Sequence, residues 1–288
     1  MKLLKDILYK VSVNAVFGDT NMEVTQIAFD SRTIKNGAVF VAQKGVSVDG
    51  HLYIDKAISL GATSIICEVL PEEMQRGITF IQVEDSNTTL AIIASNFYDN
   101  PSEKLKLVGV TGTNGKTTVA TLLHNLFQAM GYKAGLLSTV VYKIGPSSFN
   151  ATHTTPDAIR LNQLMQEMVT AGCKYCFMEV SSHAIAQGRI SGLEFDIALF
   201  TNISRDHLDY HKTFDEYIKA KKMFFDGLSK TAFALVNIDD KNGLIMLQNT
   251  AARQYNYALR SPADFKAKII ENEISGLILN MDGKEFYS

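Results

Sequence analysis

The sequence predicts an α/β protein with a small N-terminal α/β domain, residues 1–99, and a larger domain, residues 100–288, whose mainly parallel sheet carries helices on both faces. Three observations predict it. Apolar runs of strand length alternate with amphipathic helical segments along most of the chain. One such run, at 105–110, ends in a glycine turn that opens directly into a helical pattern. Polar residues gather just after the apolar runs, where a parallel sheet places its ligands. With 288 residues and 46% hydrophobic content, the chain can bury core for about two such domains.

In the first domain, 24–29 reads as a strand ending at Asp30-Ser31-Arg32, and 38–42 as a strand ending at Gln43-Lys44-Gly45. A helix carrying Tyr53, Ile54, Ala57 and Ile58 follows Asp49-Gly50 and stops at Gly61. Strands at 63–67 and 78–83 and a helix at 88–98 complete it, and Asn100-Pro101-Ser102 marks the boundary.

The second domain starts with L-K-L-V-G-V-T-G-T-N-G-K-T-T at 105–118. Gly112 and Gly115 let backbone N–H groups turn inward toward phosphate oxygens, and the helix that follows offers its unpaired N–H groups to the same anion. Lys116 supplies a mobile positive charge, and the Thr117 hydroxyl is placed to ligate magnesium. Thr111, Gly112, Thr113, Asn114, Gly115, Lys116, Thr117 and Thr118 therefore read as a P-loop-type cradle for ATP or GTP. The pattern is a variant, because Val110 stands where the strict motif has glycine. The plain alternative is a glycine turn with no ligand.

The helix after the cradle places Val119, Leu122, Leu123, Leu126, Phe127 and Met130 on one stripe, with His124 off it and reading as solvated. A strand at 134–139 and a turn at 145–148 lead to His153-Thr154-Thr155-Pro156-Asp157, where Asp157 caps a helix through Leu161, Leu164 and Met168. Further buried strands are expected at 175–180, 195–201 and 232–237. Glu179, Ser181, Ser182 and His183 follow one of them, and Asn202, Ser204, Arg205, Asp206, His207 and Asp209 follow another. Glu179 and His207 could jointly hold a magnesium ion together with a phosphate oxygen. Alternatively each caps a helix or pairs with a neighbour.

Thr213 and Glu216 form a capping box for a helix bearing Phe214, Tyr217, Ile218, Phe224, Phe225 and Leu228. Lys221 falls on that apolar stripe, so its amine either snorkels to water or accepts a depressed pKa that would leave it nucleophilic. Periodicity leaves both open.

A net charge of -2 without a sustained basic run gives no reason to expect nucleic-acid binding. No apolar stretch is long enough for a membrane span, and Lys5-Asp6 interrupts any secretory core, so a cytoplasmic protein is expected. Cys173 and Cys176 form a C-x-x-C, but there is no second pair and the motif runs into a strand pattern. These thiols and Cys67 read as buried and structural.

T-G-T-N-G-K-T-T, T-T-P-D, M-E-V-S-S-H-A, Q-G-R and F-T-N-I-S-R-D-H-L-D-Y-H-K-T-F-D-E-Y-I-K-A-K together resemble the Mur ligases of peptidoglycan synthesis. The resemblance is nearest to the branch that adds the third amino acid to UDP-N-acetylmuramoyl-L-alanyl-D-glutamate, and it extends to D-S-R, F-V-A and D-G in the first domain. It implies an ATP-dependent ligase that activates a carboxylate as an acyl phosphate for attack by an amine, here meso-diaminopimelate or L-lysine. It implies that Lys116, His207 and Lys221 are catalytic, that the cradle and Asn202 hold ATP, and that Thr117, Glu179, His207 and a carbamylated Lys221 hold two magnesium ions. Ser31, Thr154, Thr155, Ser181, Gln187 and Arg189 match positions that grip the UDP-muramoyl-dipeptide. A monomer is expected. The hairpin pattern around Asp282-Gly283 stops inside its returning strand, where family members continue into an amino-acid-binding domain. The chain therefore reads as a fragment, inactive by itself. The alternatives are another Mur or folylpolyglutamate-type ligase, against whose folate branch D-S-R argues, and a non-catalytic nucleotide- or UDP-sugar-binding module.

Overall fold

A computed structural model describes residues 2–45, 48–151, 153–206, 208–273, 276–281 and 284–287. The chain forms two compact units: Met1–Lys104 with Pro156–Thr170 and Ala186–Leu193, and Leu105–Thr155 with Ala171–Ile185 and Glu194–Ser288.

The first unit is built on a sheet of β1 (Val13–Phe17), β2 (Gln26–Ala28), β3 (Ala38–Val41), β4 (Ala62–Cys67) and β5 (Thr79–Val83), in the order β1-β5-β4-β3-β2. All but β1 run parallel. Successive side chains of a strand point to opposite faces. Accordingly Val39, Val41, Ile66 and Ile81 pack with Leu90 and Ile93 of helix α1 (Ser86–Phe97), while Phe40, Ile65 and Phe80 pack with Ile54 and Ala57 on the other face. Asp85 caps α1, its carboxylate accepting from the N–H groups of Asn87 and Thr88.

The second unit is a mixed sheet. Its parallel centre comprises β6 (Lys106–Thr111), β7 (Ala134–Leu137), β10 (Tyr175–Glu179), β11 (Ile197–Phe200), β12 (Phe233–Asn237), β13 (Arg253–Ala258) and β14 (Phe265–Glu273), in the order β7-β10-β6-β11-β12-β13-β14. Antiparallel β8 (Val141–Ile144) and β9 (Ser147–Asn150) extend one edge, and β15 (Gly276–Met281) and β16 (Lys284–Tyr287) the other. The turn expected at Asp282-Gly283 lies outside the described residues. Val108 and Val110 of β6 face helix α2 (Lys116–Ala129). On the opposite face a Cβ at Gly109 would lie 2.6 Å from the Phe224 ring of helix α3 (Phe214–Asp226), so helices cover both faces. The strand order reverses beside β6, which is where such sheets open a crevice at their carboxyl ends.

Helix α2 is rotated relative to the expected stripe. Val119, Ala120, Leu123 and Phe127 face the sheet, whereas Leu122, Leu126 and Met130 are 62%, 54% and 59% exposed. His124 is not solvated but buried, one turn beyond Ala120. Six apolar residues spread over a broad arc, and the attachment of the helix to the glycine turn selects which part of it meets the sheet. The His124 Nδ1 lies 3.1 Å from Asn125 Oδ1, and Nε2 has no hydrogen-bond partner among the described residues. Desolvation, aided by the charge of Lys143, lowers its pKa. A histidine depressed in the fold binds fewer protons than in the unfolded chain, so stability is complete above the unfolded value near 6.5 and falls as pH drops below it. His124→Leu should flatten that acid limb and stabilise the chain by about 1 kcal/mol, by removing an unpaired buried polar atom. Urea midpoints at pH 8 and pH 5 check this.

Cys67, Cys173 and Cys176 are buried free thiols. Burial pushes Cys67 up to about 11 and Cys176 further still, which leaves no reactive thiolate for a redox pair. No helix among the described residues is long and apolar enough to cross a membrane.

Candidate functional site

The carboxyl end of β6 turns through Thr111–Gly115 before α2 begins. Gly112 and Gly115 take φ of 147° and 86°, which a side chain rarely allows. The loop after β11 holds this turn in place. Asn202 clamps Asn114 at two points, its Oδ1 accepting from the Asn114 N–H at 3.0 Å and its Nδ2 donating to the Asn114 carbonyl at 3.1 Å. Thr201 Oγ1 donates to the same carbonyl at 2.7 Å, and the Thr113 N–H donates to the Asn202 carbonyl at 2.8 Å. Thr113 Oγ1 accepts from the Ser204 N–H and meets the Tyr217 hydroxyl at 3.2 Å. Asp240, after β12, anchors the clamp from behind by accepting from the Ile203 N–H at 2.7 Å.

Two amines converge on one carbonyl within this frame. Lys116 Nζ donates to Gly112 O at 3.0 Å and to Thr113 O at 2.9 Å, and Lys221 Nζ donates to Gly112 O at 2.9 Å. Lys221 is 1% exposed, with its ammonium 4.7 Å from the centre of the Tyr217 ring. It does not snorkel. Desolvation, then the charge of Lys116, lower its pKa to about 7, against the pull of Asp206. Desolvation also lowers Lys116, opposed by Glu179 and Asp206. Of the two openings that periodicity left for Lys221, the depressed amine is the one realised.

Glu179 ends β10 and is buried. Its carboxylate accepts from the Thr139 N–H at 2.7 Å and from the Thr139 hydroxyl at 3.1 Å, and the hydroxyls of Thr139 and Thr154 lie 3.2 Å apart. Thr155 Oγ1 donates to the Glu179 carbonyl at 2.8 Å and accepts from the Ser181 N–H at 3.2 Å, while Ser181 Oγ accepts from the Ala184 N–H. Capping and pairing thus account for much of what Thr155 and Ser181 do. Thr117 is half-buried and Thr118 exposed in the first turn of α2. His207 lies outside the described residues.

Magnesium binds few carboxylates, keeps several waters and shares phosphate oxygens. A single buried carboxylate, Glu179, paired in register with Val110 at the end of the strand that leads into the phosphate-type turn, fits that pattern, with the Thr117 hydroxyl at the start of α2 as a second oxygen donor. Among the described residues no three His, Cys, Asp or Glu side chains gather into a cluster able to hold a metal by themselves.

The remaining candidates lie in the first unit. Ser31 is buried between Asp30 and Arg32, whose guanidinium pairs with Asp30 at 2.7 Å and holds that carboxyl below its ordinary pKa. Ser31 lines a cavity of about 500 Å³ together with Phe29, Gln43, Gly45, Tyr53 and Lys56. Gln187 and Arg189 pair with each other, Nε to Oε1 at 2.9 Å.

The sequence reading missed Thr139, Thr201, Tyr217 and Asp240 as parts of the site. Thr201 is the last residue of the strand expected at 195–201 and was counted with the strand, although it stands directly before Asn202. Nothing local marked Thr139, whose role depends on which strand lies beside β10.

Residues 110–286 match the Mur ligase middle domain and residues 23–98 the Mur ligase family catalytic domain. The chain is 59% identical over 281 residues to a UDP-N-acetylmuramoyl-L-alanyl-D-glutamate–2,6-diaminopimelate ligase of Cytophaga hutchinsonii, and 53% identical over 283 residues to the ligase of the same name from Bacteroides thetaiotaomicron. These alignments cover 97% and 98% of this chain but 58% and 59% of the relatives, so the chain spans under two thirds of their length. In fold it is similar to a solved ligase of that name, with a TM-score of 0.83 at 24% identity over 99% of this chain and 59% of that one. It is also similar to MurF from Acinetobacter baumannii, with a TM-score of 0.65 at 17% identity, over 99% of this chain and 59% of that one. The chain belongs to the Mur ligase family.

Proposed function

We propose that this chain is the ATP-binding and UDP-substrate-binding portion of a ligase that joins meso-diaminopimelate, or alternatively L-lysine, to UDP-N-acetylmuramoyl-L-alanyl-D-glutamate in peptidoglycan synthesis. The observation that carries the reading is the meeting of Lys116 and the buried, easily deprotonated Lys221 on the Gly112 carbonyl of a phosphate-type turn. The names of the relatives support the choice of substrate.

Residues 100–288 take the ATP role in this reading. The N–H groups of 112–118 and the start of α2 receive phosphate oxygens, and Lys116 leaves its two carbonyl acceptors to meet the charge that develops on the transferred phosphoryl group. A neutral Lys221 adds carbon dioxide at Nζ and releases a proton, becoming a carbamate anion. The repulsion between Lys116 and Lys221 then becomes attraction. Thr117, Glu179, His207 and carbamylated Lys221 would hold two magnesium ions, which supply positive charge to phosphate oxygens when bound. Residues 1–99 take the UDP moiety, with Ser31 at its cavity, while Thr154, Thr155, Ser181, Gln187 and Arg189 hold the muramoyl-dipeptide. Its D-glutamate carboxylate is activated as an acyl phosphate, and the amine of the diamino acid displaces phosphate. The protein acts as a cytoplasmic monomer.

In the full-length gene product, UDP-muramoyl-dipeptide with diaminopimelate should release ADP; absence of ADP with diaminopimelate and with lysine sinks the reading. Lys116→Ala should lower that rate by about a thousandfold. UDP-substrate affinity should stay within about twofold, and equal loss of both would count against separate sites.

A further inference from the structure

His51 lies beside the Ser31 cavity and has no part in the chemistry above. It sits in a short 3-10 turn, Gly50–Tyr53, whose first N–H groups are capped by Asp49, with the His51 N–H donating to Asp49 Oδ1 at 2.9 Å. Its side chain is 15% exposed. The partners of the ring dictate where its proton sits. Nδ1 lies 2.6 Å from Asp49 Oδ1, a carboxylate oxygen that accepts. Nε2 lies 3.0 Å and 3.2 Å from the backbone nitrogens of Glu68 and Val69, which donate. The ring is therefore neutral, with its hydrogen on Nδ1 and its lone pair on Nε2 shared by two N–H groups.

Those two N–H groups belong to the turn after β4, and that turn is itself fixed. Glu68 Oε1 accepts from the Ser86 N–H at 3.0 Å and from its hydroxyl at 2.7 Å, at the start of α1. The other end of the segment is tied to the same helix by Gln43 Nε2, which donates to Asn87 Oδ1 at 2.7 Å. Between these ties the Gly50 N–H donates to the Gln43 carbonyl at 2.8 Å. Gln43, Gly45, Val48 and Gly50 are wall residues of the cavity. Besides the backbone bridge between Lys44 and Asp49, the side-chain tie at the Gly50 end of these wall residues is the His51 imidazole.

We infer that His51 is the positioning residue of this cavity, a neutral latch that holds the wall residues Gln43, Gly45, Val48 and Gly50 against the Glu68–Val69 turn and so preorganises the opening for a uridine nucleotide. The inference rests on the reading of the cavity as the UDP site. Without the latch the wall must be ordered on binding, and that cost appears as lost affinity for the nucleotide held there.

Calorimetric titration with UDP, and separately with ADP, tests it on the chain as it stands. His51→Ala should weaken UDP binding about tenfold and leave ADP binding unchanged. His51→Gln, whose Oε1 can accept from both N–H groups, should return UDP affinity to within about threefold of the original. UDP binding by His51→Ala at full strength, or equal loss of UDP and ADP, overturns the latch. Nitrogen NMR of the unsubstituted chain should find the ring proton on Nδ1, and a proton on Nε2 overturns it independently of any variant. An unsubstituted chain that binds ADP but not UDP would instead overturn the reading of the cavity.

Discussion

Lys221→Met should make the ligand-free chain more stable and the full-length enzyme inactive. In carbon-dioxide-free buffer at pH 7.5, its melting temperature should rise by about 5 °C. The reason is linkage. In the fold Lys221 titrates at about 7, whereas in the unfolded chain it titrates at its ordinary 10.5. Between those values the unfolded chain binds a proton that the folded chain does not, so stability rises with pH across that window and the full cost remains below it. Burial of an amine of this kind costs a few kcal/mol. Methionine fills a similar volume without a charge, and the Gly112 carbonyl keeps Lys116 as a donor at 3.0 Å. The variant should therefore lose the upward slope of stability between pH 7 and pH 10. Ligation should fall by at least about a thousandfold, because no carbamate can form. Lys221→Ala leaves space instead, and added formate or acetate should recover part of its activity. A lower melting temperature with an unchanged pH slope would show that the amine carries no such cost, and full activity would remove the carbamate.

That Lys221 could be singled out from sequence at all reflects how far periodicity reaches. A charged residue on an apolar helical stripe is visible in one dimension, but whether it reaches water depends on what lies at the end of the side chain. Here that is the Gly112 carbonyl, 109 residues earlier in the chain. The phosphate turn was legible because its whole signal, strand, glycines, lysine and helix, is contiguous. The strand-end rule found Glu179 and Asn202 for a similar reason, since each stands within two residues of the end of an apolar run. Thr139 and Asp240 act by pairing with a carboxylate or an N–H group on another loop, and their neighbours are set by strand order, which no local pattern encodes. The rotation of α2 was hidden by an excess of apolar residues, so that His124 looked exposed and Leu122 looked buried. Strand β1 and the returns of the chain to the first unit at 156–170 and 186–193 carry no compositional mark.

Two glycine substitutions three residues apart should have separable effects. Gly112→Ala should unfold the turn. A Cβ there would lie 1.9 Å from Thr201 Oγ1, 2.9 Å from the Asn202 carbonyl oxygen and 3.1 Å from the Asn202 nitrogen, and φ is 147°. Thr201 and Asn202 cannot both retreat and keep their hold on Asn114, because their bonds at 2.7 Å, 3.0 Å and 3.1 Å all converge on that residue. The shift would also displace the carbonyl on which Lys116 and Lys221 meet. A loss of about 3 kcal/mol in stability, together with undetectable ADP binding, is expected. At Gly115 the nearest atoms to an added Cβ are 3.9 Å away, so only the left-handed backbone at φ 86° opposes a side chain, at a cost of about 1 kcal/mol. Gly115→Ala should therefore fold and melt close to the unsubstituted chain, yet bind ADP at least about tenfold more weakly, because the methyl group stands at the mouth of the helix where phosphate oxygens approach. Denaturant midpoints and ADP titrations on both variants decide the matter. Equal loss of stability in the two would mean that the crowding at Gly112 is not what fixes the turn, and unchanged ADP binding in Gly115→Ala would move the phosphates away from it.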